Sequence, residues 1–115
     1  MVLKVIGDQN NMKTKYDKLV RDNIPDIIRN AKKTCVTKRI SGNEKIEYLF
    51  KKLIEEGNEL TTEKNINELA DLQEVIDSII AELGFTKEAV EKEQKKKRQE
   101  RGSFSEGIVL LEVNE

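Results

Sequence analysis

Acidic side chains recur at helical spacing between residues 53 and 77, in the stretch LIEEGNELTTEKNINELADLQEVID. The stretch holds six glutamates, two aspartates and a single lysine. Within it, Glu56 with Glu59 and Glu68 with Asp71 form two pairs three residues apart. Residues at that spacing are neighbours on a helix surface, and carboxylate oxygens are ligands that hard divalent cations prefer. The pattern therefore indicates a metal site, provided that the two pairs meet in the fold.

Both pairs lie close to apolar residues that should face a core. Glu56 falls three residues after Leu53 and four before Leu60, which places it on the flank of an apolar stripe. Glu68 stands four residues before Leu72 and seven before Val75, inside the apolar arc of its helix. A buried carboxylate without compensation is strongly destabilising. We therefore expect a positive charge between these side chains.

Two sources of positive charge fit the residues. Lys52 can reach Glu55 or Glu56 at helical spacing, but a solvent-exposed pair contributes only about 0.3–0.5 kcal/mol. A divalent cation compensates more charge. Because the chain has no histidine and a single cysteine, Cys35, an all-oxygen site suited to Mg²⁺, Mn²⁺ or Ca²⁺ is indicated. From the residues alone, this metal site and a solvated acidic helix face remain equal alternatives.

Capping patterns place the acidic residues on helices. Ser41 with Glu44, and Asn65 with Glu68, have the spacing of a capping box. The predicted helices run from near Ile24 to Lys32 with Pro25 in the first turn, from Ser41 to about Leu60, from Asn65 to Gly84, and from Thr86 to Gly102. The connection between the second and third helices is short, which favours an antiparallel hairpin. Such a hairpin would bring the two acidic pairs together.

Two further segments favour β structure. Residues 34–40 alternate with β-branched side chains, and the tail EGIVLLEV, residues 106–113, is a strand candidate that could pair with them. The predicted fold is thus mostly all-α, an antiparallel bundle of about four helices with a small two-stranded β pair. We expect an N-terminal arm over residues 1–14 and one domain over residues 15–115.

Composition restricts the function classes. Lys and Arg number 21 against 22 Asp and Glu, so the net charge of -1 provides no general attraction to nucleic acid or membranes. No apolar run approaches the roughly 18 residues of a membrane span, and the first residues lack a signal-peptide pattern. A cytoplasmic location is the expectation. With 37% hydrophobic residues, a small domain buries little surface alone, so we expect association through apolar helix faces.

Four segments in order resemble a known family. They are YDKLVRDNIPDII, KLIEEGNEL, NELADLQEVIDSI and KRQERGSF, and they contain the pattern EExxE followed by ExxD. The chain resembles the MazG-like all-α nucleotide pyrophosphohydrolase superfamily, in its phosphoribosyl-ATP pyrophosphohydrolase-like branch, from Tyr16 to about Val113. The resemblance implies Mg²⁺-dependent hydrolysis of a nucleoside triphosphate or related nucleotide to monophosphate and pyrophosphate. It also implies a homodimer or homotetramer, and a house-cleaning role that many members have.

The resemblance also assigns residues. It implies that Mg²⁺ is held by Glu56, Glu59, Glu68 and Asp71, with Glu55 beside it as an outer or second-metal ligand. The candidate catalytic residues are Glu55, Glu56 and Glu59. Because the chain has no histidine, we expect Glu55 or Glu59 to be the base for the attacking water, unless the lowered pKa of metal-bound water suffices. The candidate phosphate-binding cations are Lys18, Arg21, Lys97, Arg98 and Arg101, and Phe104 is a candidate to cover the base.

Two other functions fit parts of the sequence. A non-enzymatic helical protein could dock a partner through the apolar stripes, and it would show no response to Mg²⁺. A nucleic-acid binder could use EKEQKKKRQER, but that cluster is flanked by acids and has only Phe104 nearby as a stacking side chain. The identity of the base and sugar, including phosphoribosyl-ATP, does not follow from the sequence.

Overall fold

The computed structural model describes residues 13–115, and its regular structure is helical. In chain order the helices are α1 (Ile24–Asn30), α2 (Gly42–Glu63), α3 (Ile66–Glu82) and α4 (Lys87–Arg101). The prediction of a mostly all-α chain with four helices is confirmed. No helix in the described part of the chain is long and apolar enough to cross a membrane.

Local capping explains where the helices begin. Asn65 accepts a hydrogen bond from the backbone N–H of Glu68 at 3.0 Å, and Thr86 accepts one from the backbone N–H of Ala89 at 3.1 Å. Each bond satisfies one of the free N–H groups at a helix start. Ser41 occupies the corresponding position of α2 with extended backbone, but its side chain makes no capping hydrogen bond. The predicted start is therefore right, although the predicted side-chain cap does not form.

Helix ends differ from the prediction by a few residues. Helix α1 ends at Asn30 rather than Lys32, and α2 continues three residues beyond Leu60 to Glu63. Lys64 then adopts a left-handed conformation, with φ of 49°, a common way to end a helix. Because only Lys64 and Asn65 separate α2 from α3, the chain reverses at once and the two helices pack against each other.

The α2–α3 hairpin is antiparallel, as expected. Lys45 near the start of α2 forms an ion pair with Glu82 at the end of α3. Leu49 and Val75 are the buried apolar side chains of the described residues. Helix α4 contacts α3. The hairpin is thus the element that positions the acidic pairs.

The predicted β pair is absent from the described residues. Within the described residues 13–115, neither the range 34–40 nor the range 106–113 forms a strand. Most of their apolar side chains, Val36, Ile108 and Leu111 among them, are exposed to solvent, whereas Ile40 is partly buried. An isolated two-stranded ribbon is at best marginally stable in water, and few of the apolar side chains that would support one here are buried. High β propensity in these segments was therefore insufficient for pairing.

A single chain leaves much apolar surface uncovered. Its radius of gyration is 18.8 Å, whereas a compact domain of about 100 residues has a value near 13 Å. Large exposed apolar side chains lie on the hairpin, after α3 and in the tail, and they include Ile54, Ile66, Leu69, Phe85, Phe104 and Leu110. The predicted arm, residues 1–14, lies almost entirely outside the described residues.

Candidate metal centre

Three carboxylates from the two facing helices converge. Glu56 on α2 and Glu68 and Asp71 on α3 each offer an oxygen, and these oxygens lie within 4.8 Å of one another. Glu56 is 0% exposed and Glu68 is 2% exposed, while Asp71 is partly exposed. We call these three residues the carboxylate cluster. The structure brings together one member of the first predicted pair and both members of the second.

The spacing of the oxygens suits a divalent cation. Two oxygens bound to one ion are separated by at most twice the metal–oxygen distance, which is about 4.2 Å for Mg²⁺ and about 4.8 Å for Ca²⁺. The upper limit of 4.8 Å is compatible with one shared Mg²⁺, Mn²⁺ or Ca²⁺ once the side chains close around the ion. The donor set consists of oxygen alone, as these ions require.

Glu59 lies near the cluster. Burial raises the pKa of the Glu68 carboxyl above its usual range, and a hydrogen bond with Glu59 and the charges of Glu59 and Glu56 raise that pKa further. The predicted fourth ligand thus lies close enough to act on Glu68, but it is not in the group of carboxylates that can share one ion.

Lys52 is buried beside the cluster. Its side-chain nitrogen lies 3.5 Å from Glu55 Oε1 and 3.7 Å from Glu56 Oε1, and the residue is 7% exposed. The expectation of an exposed pair at Lys52 is therefore wrong. Exposure could not be derived from helical spacing, since it depends on what packs against α2.

Glu55 lies outside the carboxylate cluster. Its Oε1 atom is 3.3 Å from Lys18 Nζ as well as 3.5 Å from Lys52 Nζ. The two lysines therefore compensate the charge of this carboxylate. The group of carboxylates that can share one ion does not include Glu55.

The segment before α1 crosses both helices of the hairpin. Arg21 Nη2 donates to Asp71 Oδ1 at 2.8 Å, and Arg21 Nη1 lies 3.8 Å from Glu74 Oε1. Tyr48 Oη on α2 donates to Asp17 Oδ1 at 2.6 Å. Lys18 and Arg21, predicted to bind phosphate, are therefore adjacent to the acidic site, where they pair with its carboxylates.

The roles of Asp17, Tyr48 and Glu74 had no signal in the sequence, because their partners are distant along the chain. The hydrogen bond to Asp17 raises the pKa of the Tyr48 hydroxyl above 10.0, and burial and the negative charges of Asp17 and Glu44 raise it further. The phenol is thus held in its protonated, donating form.

The candidate cations of α4 are not brought to the cluster. Within residues 13–115, the structure shows no ion pair or hydrogen bond between the cluster and Lys97, Arg98 or Arg101. Phe104 is 99% exposed. In one chain these four residues therefore form a separate, solvent-exposed surface.

Comparisons of the chain with protein-family models, with curated proteins and with solved structures found no match.

Proposed function

We propose that the chain is a Mg²⁺-dependent nucleotide pyrophosphohydrolase, which cleaves a nucleoside triphosphate or related nucleotide to the monophosphate and pyrophosphate. The observation that carries this proposal is the convergence of Glu56, Glu68 and Asp71 from two antiparallel helices, with two of the three side chains buried. Buried carboxylates of like charge are unfavourable unless a function or a counter-charge retains them. The MazG-like sequence pattern supports the same reading.

The cluster would hold the ion through Glu56, Glu68 and Asp71, with Glu59 completing the predicted set. Bound Mg²⁺, or Mn²⁺ in its place, draws charge from phosphate oxygens and lowers the pKa of bound water. The burial of Glu56 and Glu68 excludes bulk water from one side of the site, which strengthens electrostatic interactions there. Because Asp71 is partly exposed, substrate would approach the cluster from the side of Asp71.

Glu59 is the better of the two candidate bases. It lies close enough to Glu68 to raise the pKa of that carboxyl, and no lysine is paired with it among the ion pairs of the described residues. Glu55 Oε1, in contrast, faces the ammonium groups of Lys18 and Lys52. We therefore assign to Glu59 the acceptance of a proton from the attacking water.

Phosphate binding requires cations near the cluster. Arg21 is already in place, since its guanidinium lies against Asp71, and a guanidinium can bind a phosphate through two parallel hydrogen bonds. The cations of α4, together with Phe104, would complete the site only if another protomer brought them there. The proposal accordingly includes a homodimer or homotetramer.

Pyrophosphate release tests the proposal. Canonical and chemically damaged nucleoside triphosphates, and phosphoribosyl-ATP, are incubated with the protein and Mg²⁺. We expect release from at least one nucleotide, its loss in Glu56→Ala, and parent-like release in the control Glu47→Ala, because Glu47 is an exposed residue of the same helix. Turnover by Glu56→Ala within a few-fold of the parent would show that the metal assignment is wrong.

The exposed apolar surface favours a second candidate, a non-enzymatic helical protein that binds a partner. Large apolar side chains on the hairpin and tail are uncovered in one chain, and patches of this kind mark interaction sites. This candidate predicts no pyrophosphate release from any nucleotide and no specific effect of Mg²⁺.

A further inference from the structure

Lys52 is unusual because lysine is rarely buried. A buried lysine normally needs a charged partner, and Lys52, 7% exposed, has Glu55 and Glu56 within 3.7 Å of its nitrogen. Both partners come from its own helix. The ammonium group is therefore paired within α2 whether or not a ligand is bound.

The ammonium group of Lys52 lies at the edge of the carboxylate cluster. It is between Glu56, which is a member of the cluster, and Glu55, which is not. A cation that bridged these two carboxylates would have to displace it. Lys18 contributes a second positive charge on the Glu55 side.

Arg21 lies against a different carboxylate, Asp71, to which its guanidinium donates a hydrogen bond. Lys52 is a cation positioned to offset the buried charge of Glu56, whose Oε1 lies 3.7 Å away.

We propose that Lys52 is a resident counter-cation of this site. It stabilises the buried Glu56 carboxylate before a metal arrives, and it occupies the space between Glu55 and Glu56 where a second ion would bind. The site therefore takes one divalent cation per chain. Because a positive charge repels a nearby cation, the lysine also weakens metal affinity. This inference rests on the proposed metal-dependent function.

The test is Mn²⁺ binding by the full chain without nucleotide, measured from the electron paramagnetic resonance signal of free Mn²⁺ and combined with thermal melts. We expect the parent to bind one Mn²⁺. Lys52→Met keeps the apolar stem and removes the charge, so we expect a lower melting temperature without metal and at least tenfold tighter Mn²⁺ binding.

Two variants separate charge from packing. Lys52→Arg retains the positive charge and should bind Mn²⁺ with nearly the parent affinity. Lys51→Met is the matched control, since Lys51 is an exposed neighbour whose ammonium lies over the Tyr48 ring at 5.1 Å. It should leave both metal affinity and the metal-free melting temperature close to those of the parent.

The outcomes that overturn the inference are distinct. Saturation of the parent at two ions, or Mn²⁺ binding by Lys52→Met that is unchanged or weaker, overturns it while leaving the proposed function intact. No Mn²⁺ binding by the parent overturns both. If Lys52→Met is unfolded without metal, circular dichroism during a Mn²⁺ titration decides: recovery of helix supports the inference, and no recovery overturns it.

Discussion

The replacement of Glu68 by glutamine separates a metal site from an acidic surface without knowledge of the substrate. Glu68 is 2% exposed, and burial together with Glu59 and Glu56 raises the pKa of its carboxyl. A raised pKa means that the ionised side chain is less favourable in the folded protein than in the unfolded chain. Glutamine preserves the shape and removes the charge. We therefore expect Glu68→Gln to be at least as stable as the parent without metal.

The parent should gain stability from Mg²⁺ that the variant lacks. An ion that binds the folded state alone stabilises it by about 2.7 kcal/mol at a hundredfold excess over Kd. With an unfolding entropy of about 2.1 cal/mol/K per residue, a chain of 115 residues shifts by roughly 4 °C per kcal/mol. The parent should thus melt about 10 °C higher, whereas the variant, without one ligand charge, should shift by a few degrees at most.

Thermal melts followed by circular dichroism measure these shifts. Ionic strength is matched with NaCl so that screening of surface charge does not imitate binding. Glu47→Gln serves as the control, because Glu47 is exposed on the same hairpin, and its melting temperature should respond to Mg²⁺ as the parent does. Equal Mg²⁺ shifts in the parent and Glu68→Gln would refute the assignment of Glu68 as a ligand.

Three further predictions concern association, a tyrosine and the α4 cations. At tens of micromolar we expect at least a dimer by light scattering, since one chain exposes much apolar surface; a monomer would contradict this. The hydrogen bond to Asp17 raises the pKa of the Tyr48 hydroxyl, and this pKa should fall in Asp17→Asn in an alkaline titration followed at 295 nm. The stability from that hydrogen bond should be present below pH 10.0 and lost above it. An unchanged titration would exclude the bond in solution. Arg98→Ala and Arg101→Ala should slow turnover by roughly 10- to 150-fold, the effect of losing one charged hydrogen bond, and unchanged turnover would remove them from the site.

The helices and their pairing were predictable because their signals are local. Asn65 and Thr86 cap α3 and α4 through residues three positions away, and a connection of two residues forces α2 and α3 into a hairpin. The convergence of Glu56 with Glu68 and Asp71 follows from helical periodicity and this reversal. Spacing along the chain was sufficient for these features.

Features that depend on distant contacts were not predictable in the same way. The pairs Lys18–Glu55 and Arg21–Asp71 join residues 37 and 50 positions apart, so no periodic pattern records them. The burial of Lys52 depends on tertiary packing against α2, which spacing along the helix does not show. The β pair was wrong for a related reason, since strand propensity acts only where partners and a covering layer exist.

Two carboxylates of the cluster have a cation beside them. Lys52 Nζ lies 3.7 Å from Glu56 Oε1, and Arg21 donates a hydrogen bond to Asp71. A bound ion therefore has to compete with these two partners. Under the proposed function, an ion that bound Asp71 would release the guanidinium of Arg21 at the exposed side of the cluster, where the phosphates of a nucleotide would arrive. The hydrogen bond to Asp71 would then hold Arg21 in position for a phosphate before either ligand bound.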